Sequence, residues 1–487
     1  MPHPVISLPR GALLALVSAL LSACATVGPD YQTPNAELPA RYAAASAVAA
    51  RNTTLAAPAL DDWWLGFQDE QLTQLVQRVL AQNLDIAAAK ARVDAAHAVA
   101  QAAGAAQLPS GTLDASAAKL HQSTEGPIGK IASAFPGYER SQSLYDLDAA
   151  ASWDLDLFGG LKRAAQAARA DAEAAQAQQA AVQVSVVAEA ADAYLRIRGL
   201  QARLLLAQQQ IETDTHLLSL VQQRLQGGIG ANRELAQAQA QLAQARSNLP
   251  PLRTELALHL NRLDVLMGAA PGTYAAALTA APAPINSVPA IGLAQGPADL
   301  LRRRPDVIAA ERRLAASNAR IGSAIAQYYP NVSLGAVLGL VSLNGGTVFS
   351  NAAFEPQAVA GLHWRLFDFG RVDAEVAQAK GANAAALADY RGAMLHATED
   401  VENALVTLTQ LEDQRGALLD EVSARTRARA DTEDAYRGGV ASLFEVLQED
   451  RDLLVSRDQL ARVQADDARA AVAAFRAMGG GWQRGAA

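Results

Sequence analysis

Between Tyr145 and Leu157 the chain alternates apolar and polar positions without a break. Tyr145, Leu147, Ala149, Ala151, Trp153, Leu155 and Leu157 fall on one side of an extended strand; Asp146, Asp148, Ala150, Ser152, Asp154 and Asp156 fall on the other. A softer version recurs downstream, with Val332, Leu334, Ala336, Leu338 and Leu340 set against Ser333, Gly335, Val337, Gly339 and Val341. Then Ala358, Ala360, Leu362, Trp364 and Leu366 alternate with Val359, Gly361, His363 and Arg365. With a weaker segment near Thr112 to Ala118, these make four strands in two pairs, each pair joined by a loop rich in Gly, Ser and Pro.

Elsewhere the period is helical. Leu72, Leu75, Val76, Val79, Leu84, Ile86 and Val93 share a face from about Asp69 to Ala106, and Pro109 ends the run. Phe158-Gly159 and Phe369-Gly370 each open a proline-free stretch, 160–226 and 371–437, that reaches roughly 100 Å as one helix. In the first, Ile197, Leu204, Ile211, Leu218 and Leu225 recur every seventh residue, which predicts left-handed coiled-coil packing. In the second, Arg415, Arg425 and Arg429 intrude on the seam. Gly227-Gly228 and Gly438-Gly439 then turn the chain back into shorter helices, about 231–249 and 441–477; Pro250-Pro251 starts a further helix ending at Leu266.

These elements repeat. Asn83 through Pro109 aligns without gaps on Arg304 through Pro330, an offset of 221, whereas Trp153…Phe158-Gly159 and Gly227-Gly228 meet Trp364…Phe369-Gly370 and Gly438-Gly439 at an offset of 211. The chain therefore reads as a signal segment (1–23), an extended arm (24–60), repeat 1 (61–268), a linker rich in Pro, Ala and Gly (269–297), repeat 2 (298–478) and a tail (479–487). Arg302, Arg303, Arg304 and Asp306 read as residues that cap and pin a helix start.

With 487 residues, 51% hydrophobic and 18% charged, the chain is too apolar to be disordered, and much of that fraction is alanine. Net charge is −8 with no basic cluster, which argues against nucleic acid as a partner. Gly11 to Leu20 is too short to span a bilayer and reads as a signal h-region. It ends in Leu21-Ser22-Ala23-Cys24, a lipoprotein cleavage pattern that makes Cys24, the one cysteine, the acylated residue. A single chain of lipid anchors weakly, so a second membrane element is expected.

Four strands with one lipid-compatible face cannot stand alone in hydrocarbon, because open edges leave backbone groups unpaired. The smallest closed membrane barrels have about eight strands; three copies would supply twelve and leave a lumen. Asp146, Asp148, Asp154, Asp156, His363 and Arg365 would then face water. The chain also resembles a known family. Cys24-Ala25-Thr26-Val27-Gly28-Pro29-Asp30-Tyr31 and Leu300-Leu301-Arg302-Arg303-Arg304-Pro305-Asp306-Val307 are similar to the mature start and internal motif of the outer-membrane factor (TolC-like) family, in its OprM/NodT-type lipoprotein branch.

That resemblance implies a mainly α fold with membrane β: a homotrimer whose twelve-stranded outer-membrane β-barrel is continued by a long periplasmic α-helical barrel. It implies an exit duct for small molecules or drugs, lipid-anchored in the outer membrane, with a periplasmic adaptor and an inner-membrane pump as partners. Adaptor docking is expected at the tip turns Gly227, Gly228, Gly438 and Gly439, and a periplasmic gate at Glu445 and Gln448; the family commonly has aspartate where Gln448 stands. No cofactor or metal is expected. Scattered histidines and the absence of a phosphate loop or nucleophile elbow argue against an enzyme. Protein secretion through the same duct, or a lipid-anchored coiled-coil scaffold without a pore, are the other readings.

Overall fold

A computed structural model describes residues 26–35, 39–51, 57–280, 285, 288–293, 296–298 and 302–483. The principal helices and strands are α1 (Glu70–Gln82), α2 (Leu84–Ala105), β1 (Ser110–His121), β2 (Ser141–Asp154), α3 (Gly160–Gln226), α4 (Asn232–Ser247) and α5 (Leu249–Leu266). After the linker come α6 (Pro305–Ile325), β3 (Asn331–Ser342), β4 (Phe354–His363), α7 (Arg371–Arg437) and α8 (Leu443–Ala477). The chain clusters into two units: Met1–Pro34, Asp94–Ala174 and Glu311–Asp389, and then Asn35–Val93, Ala175–Ala310 and Tyr390–Ala487. No helix of the described residues is long and apolar enough to cross a membrane.

The first unit holds one antiparallel sheet, ordered β1-β2-β3-β4. Its registers repeat the duplication. Ser110 pairs with Ser152, and the equivalent residues Asn331 and His363 pair in the second hairpin. Alternation written separately in each strand thus becomes one two-sided sheet. Leu113, Ala149, Leu338 and Pro356 form one cross-strand row, and Ala115, Leu147, Leu340 and Phe354 the next on the same side. A slip of one residue at any ladder would mix apolar and acidic sides.

Strand β2 stops at Asp154, short of the Leu157 that the alternation reaches. Asp156 instead turns the chain at φ 41°, and its carboxylate accepts from the Leu161 and Lys162 amides at 2.9 and 2.8 Å, capping α3. Repeat 2 makes the same cap one residue later, with Asp368 accepting from Gly370 and Val372. The arm is held by both repeats: Arg163 of repeat 1 donates to the Val27 and Gly28 carbonyls and to Asp30, and Tyr31 donates to Glu311 of repeat 2 at 2.6 Å. Gly28, at φ 87°, runs so close to Gly322 that an added Cβ would lie 2.3 Å from its Cα.

The second unit is a helical core centred on Trp63, which stacks on Phe475 at 5.4 Å and meets Trp64 and Phe67 edge-on. Leu72, Val76, Val79, Ile197, Leu405 and Leu408 fill it, and alanines of α3 and α8 bring backbones close.

The helical pattern from Asp69 to Ala106 is broken at Asn83, whose extended backbone separates α1 from α2. Its side chain explains the break. Oδ1 accepts from the Asp85 and Ile86 amides while Nδ2 donates to the Leu266 carbonyl at 2.9 Å, closing the end of α5. At the equivalent position Arg304 does more. Its buried guanidinium forms a bidentate pair with Asp306 and also reaches Asp400, the Ala397 carbonyl and the Ala477 carbonyl that ends α8. Leu266 and Ala477 are themselves equivalent, so each repeat ties its last helix to the start of the helix that leads into its strands, α2 or α6.

Arg304→Ala should therefore strand two carboxylates and two carbonyls at once. We expect a loss of about 3–5 kcal/mol, read as a lowered urea midpoint by circular dichroism, and an unchanged midpoint would refute the tie.

Candidate functional site

Two regions carry the polar chemistry that the pattern singles out. The first is the polar side of the sheet. Asp114, Asp148, Gly339 and Glu355 lie in one cross-strand row, with Asp146 two residues farther along β2 on the same side. Glycine at 339 leaves space over β3, where an added Cβ would stand 2.7 Å from the Asp148 carboxylate. Three acids at one height, with no cation in the row, make this side strongly negative. Alternation marked Asp146 and Asp148; Asp114 and Glu355 were missed because only the ladder registers align four strands.

Four other residues expected on that side, Asp154, Asp156, His363 and Arg365, gather at the strand-to-helix end of the sheet, around a cavity of about 220 Å³. Asp156 is committed to its helix cap, and Arg365, just past β4, pairs with Glu375 at 3.2 Å. Tryptophans mark the same end. Trp153 and Trp364, equivalent in the two repeats, donate to the Gln107 and Tyr328 carbonyls, each at 3.0 Å.

The second region is the pair of helical hairpin tips. Gly228 at φ 76° and Gly439 at φ 74° end α3 and α7, with Ile229 N–H donating to Arg224 and Val440 N–H to Ala435. Ile229 and Val440 are equivalent, and both stand out in solvent, 73% and 87% exposed. Beneath the first turn, Leu217, Val221, Ala238 and Leu443 close a small apolar core.

Ser442 begins α8 with a capping box. Glu445 accepts from the Ser442 amide and hydroxyl at 2.6 and 2.8 Å, and its own amide donates back to the hydroxyl. The Ser442 backbone and side chain together hold the Glu445 carboxyl below its usual range, so it stays charged at neutral pH. Glu234 repeats this cap in repeat 1, accepting from Ala231 N–H at 3.5 Å. Gln448 donates to Asp452, which also receives Arg425. Glu445 and Gln448 are both exposed, three residues apart on one helix face.

The arginines that break the apolar seam of α7 find carboxylates on the antiparallel α8: Arg429 with Asp450, Arg425 with Asp452 and Arg415 with Asp467. Asp467 is fully buried and one of its oxygens lacks a partner. Burial pushes its carboxyl up to about 6, against the pull of Arg415. Cys24, the expected lipid site, lies outside the described residues.

Residues 75–269 and 296–480 match the outer membrane efflux protein family. The pyoverdine export outer membrane protein OpmQ of Pseudomonas putida is 34% identical over 98% of this chain and 99% of its own length. Nodulation protein T of Rhizobium leguminosarum bv. trifolii is 30% identical over 96% of each. Among solved structures, the outer-membrane channel OprN covers 94% of this chain and all of its own, at 32% identity and a TM-score of 0.82. The Campylobacter jejuni CmeC outer membrane channel shares the fold at 19% identity, with a TM-score of 0.85 over 95% of this chain and 96% of its own.

The raised Asp467 carboxyl sets a sign. Unfolded, it ionises near 3.9; folded, near 6, so its contribution to stability is full below about 4 and is lost as pH rises to about 6. Asp467→Asn should remove roughly 2–3 kcal/mol of that decline, measured as urea midpoints between pH 4 and 7. An Asn variant that keeps the wild-type pH profile would exclude Asp467 as its source.

Proposed function

This chain belongs to the outer membrane efflux protein family, and from that premise we propose that three copies close a twelve-stranded barrel in the outer membrane. It is an outer-membrane channel of efflux, not an enzyme. One observation carries the barrel: every acid of the four strands lies on one side, most of their large apolar side chains lie on the other, and among the described residues both outer strands lack a partner. A lipid-facing sheet needs those edges closed. The long helices of three copies form a helical barrel in the periplasm, and the channel passes small organic molecules received from an inner-membrane pump through an adaptor. Export of compounds such as pyoverdine, the cargo named for OpmQ, fits this reading.

The roles of single residues follow. Cys24 carries the lipid. Asp146, Asp148 and Asp154 line water; His363 and Arg365 stand at the same face's periplasmic end, with the capping Asp156. The turns at Gly227-Gly228 and Gly438-Gly439 meet the adaptor, and the exposed Ile229 and Val440 supply an apolar contact that glycines alone lack. Glu445 and Gln448 narrow the periplasmic mouth, where three charged Glu445 carboxylates favour cations.

Two measurements in planar bilayers test this. Asp148→Asn with Glu355→Gln should lower the cation-to-anion permeability ratio, while an unaltered ratio removes the acidic row from the lumen. Glu445→Ala should change opening and selectivity; if neither moves, Glu445 serves only as a helix cap.

A further inference from the structure

The duplication specifies how two copies of this chain join, a step that rests on the closed-barrel reading above. Both hairpins share one register after shifts of 221 for the first strand and 211 for the second: Ser110 pairs with Ser152, and Asn331 with His363. Strands β1 and β3 have the same limits under the first shift, Ser110–His121 and Asn331–Ser342. Inside the chain, repeat 1 meets repeat 2 through β2 and β3, with Trp153 opposite Leu334. The edges left bare among the described residues, β4 and β1, are the equivalents of β2 and β3. We infer that β4 of one subunit pairs with β1 of the next in the transposed register, which sets Trp364 opposite Leu113 and His363 opposite Asp114 of the neighbouring copy.

Three independent features fit this register. Its parity keeps Trp364, Leu362 and Leu113 on the apolar side and puts the imidazole of His363 across from a carboxylate, a favourable cross-strand pair. Pro356, which has no N–H to donate, falls opposite His121, the last residue of β1, where the ladder ends anyway. Finally, Phe158 stacks on Tyr329 at 4.5 Å within the chain. Transposing that contact brings Phe369 onto Leu108 of the next copy, and in the protomer these are fully and 65% exposed.

The helices beside the sheet show how the two seams differ. Within the chain, Arg320 pairs with Asp171. The equivalents at the subunit seam are Val99, 62% exposed in the protomer, and Ala382. Charge inside the chain gives way to apolar contact between chains, as suits a permanent assembly.

Cysteine cross-linking in outer membranes tests the register. His363→Cys with Asp114→Cys should join subunits at least tenfold faster than His363→Cys with Thr112→Cys or with Ser116→Cys, each two residues out of register. Faster joining to Thr112→Cys or Ser116→Cys in a trimeric protein overturns the register alone. A wild-type protein that stays monomeric in detergent overturns the closed-barrel reading beneath it. If the cysteine pairs do not assemble, charge exchange decides. His363→Asp should lose heat-resistant trimers and His363→Asp with Asp114→His should regain them; no rescue counts against the pair.

Discussion

A backbone amide in hydrocarbon has only other backbone groups to bond, and that requirement organises this molecule. It forces strands rather than loops into the membrane, forbids a free edge, and leaves a four-stranded sheet incomplete in one chain. It also makes side-chain alternation meaningful, since one side must suit lipid and the other water. Leu113, Leu147, Leu338 and Leu340 meet the first demand and Asp114, Asp148 and Glu355 the second, on strands far apart in sequence. Register alone keeps these two populations apart.

Duplication supplies the parts economically. The Gly228 and Gly439 turns have the same hydrogen bonds, the capping glutamates Glu234 and Glu445 follow each at the same distance, and Trp153 and Trp364 make the same carbonyl contact. Divergence falls where repeats have different neighbours. Asn83 caps α2 and closes the end of α5, whereas Arg304 closes the end of α8 and must also hold α7. The arm covers the repeat 1 junction, with Val27 N–H donating to the Phe158 carbonyl, while the equivalent Phe369 stands bare.

The helical hairpin of repeat 2 trades apolar seam for ion pairs. Arginines at coiled-coil positions cost packing, and their half-exposed pairs with Asp450 and Asp452 offset little of it, since screened pairs contribute at most about 1 kcal/mol. What they do supply is alignment, because each guanidinium has its carboxylate at one place on α8. The buried Asp467 marks where that arrangement is most expensive.

Much of this was legible in the chain because it is written locally. Strict alternation, proline-free runs, glycine pairs and a repeat offset depend only on neighbouring residues and on spacing, and they were enough to imply strands, long helices, tips and incompleteness. Other features were not legible. Asn83 breaks a pattern that reads as continuous, because its amide finds Leu266 some 183 residues away. Asp156 belongs to a helix cap instead of a strand face, since the next turn's free amides compete for its carboxylate. Asp114 and Glu355 joined the acidic row only when the ladder aligned them, and the seam arginines of α7 became intelligible only beside α8. Periodicity tells a residue which way to face; which partner it meets there is decided by contacts between segments that no local pattern encodes.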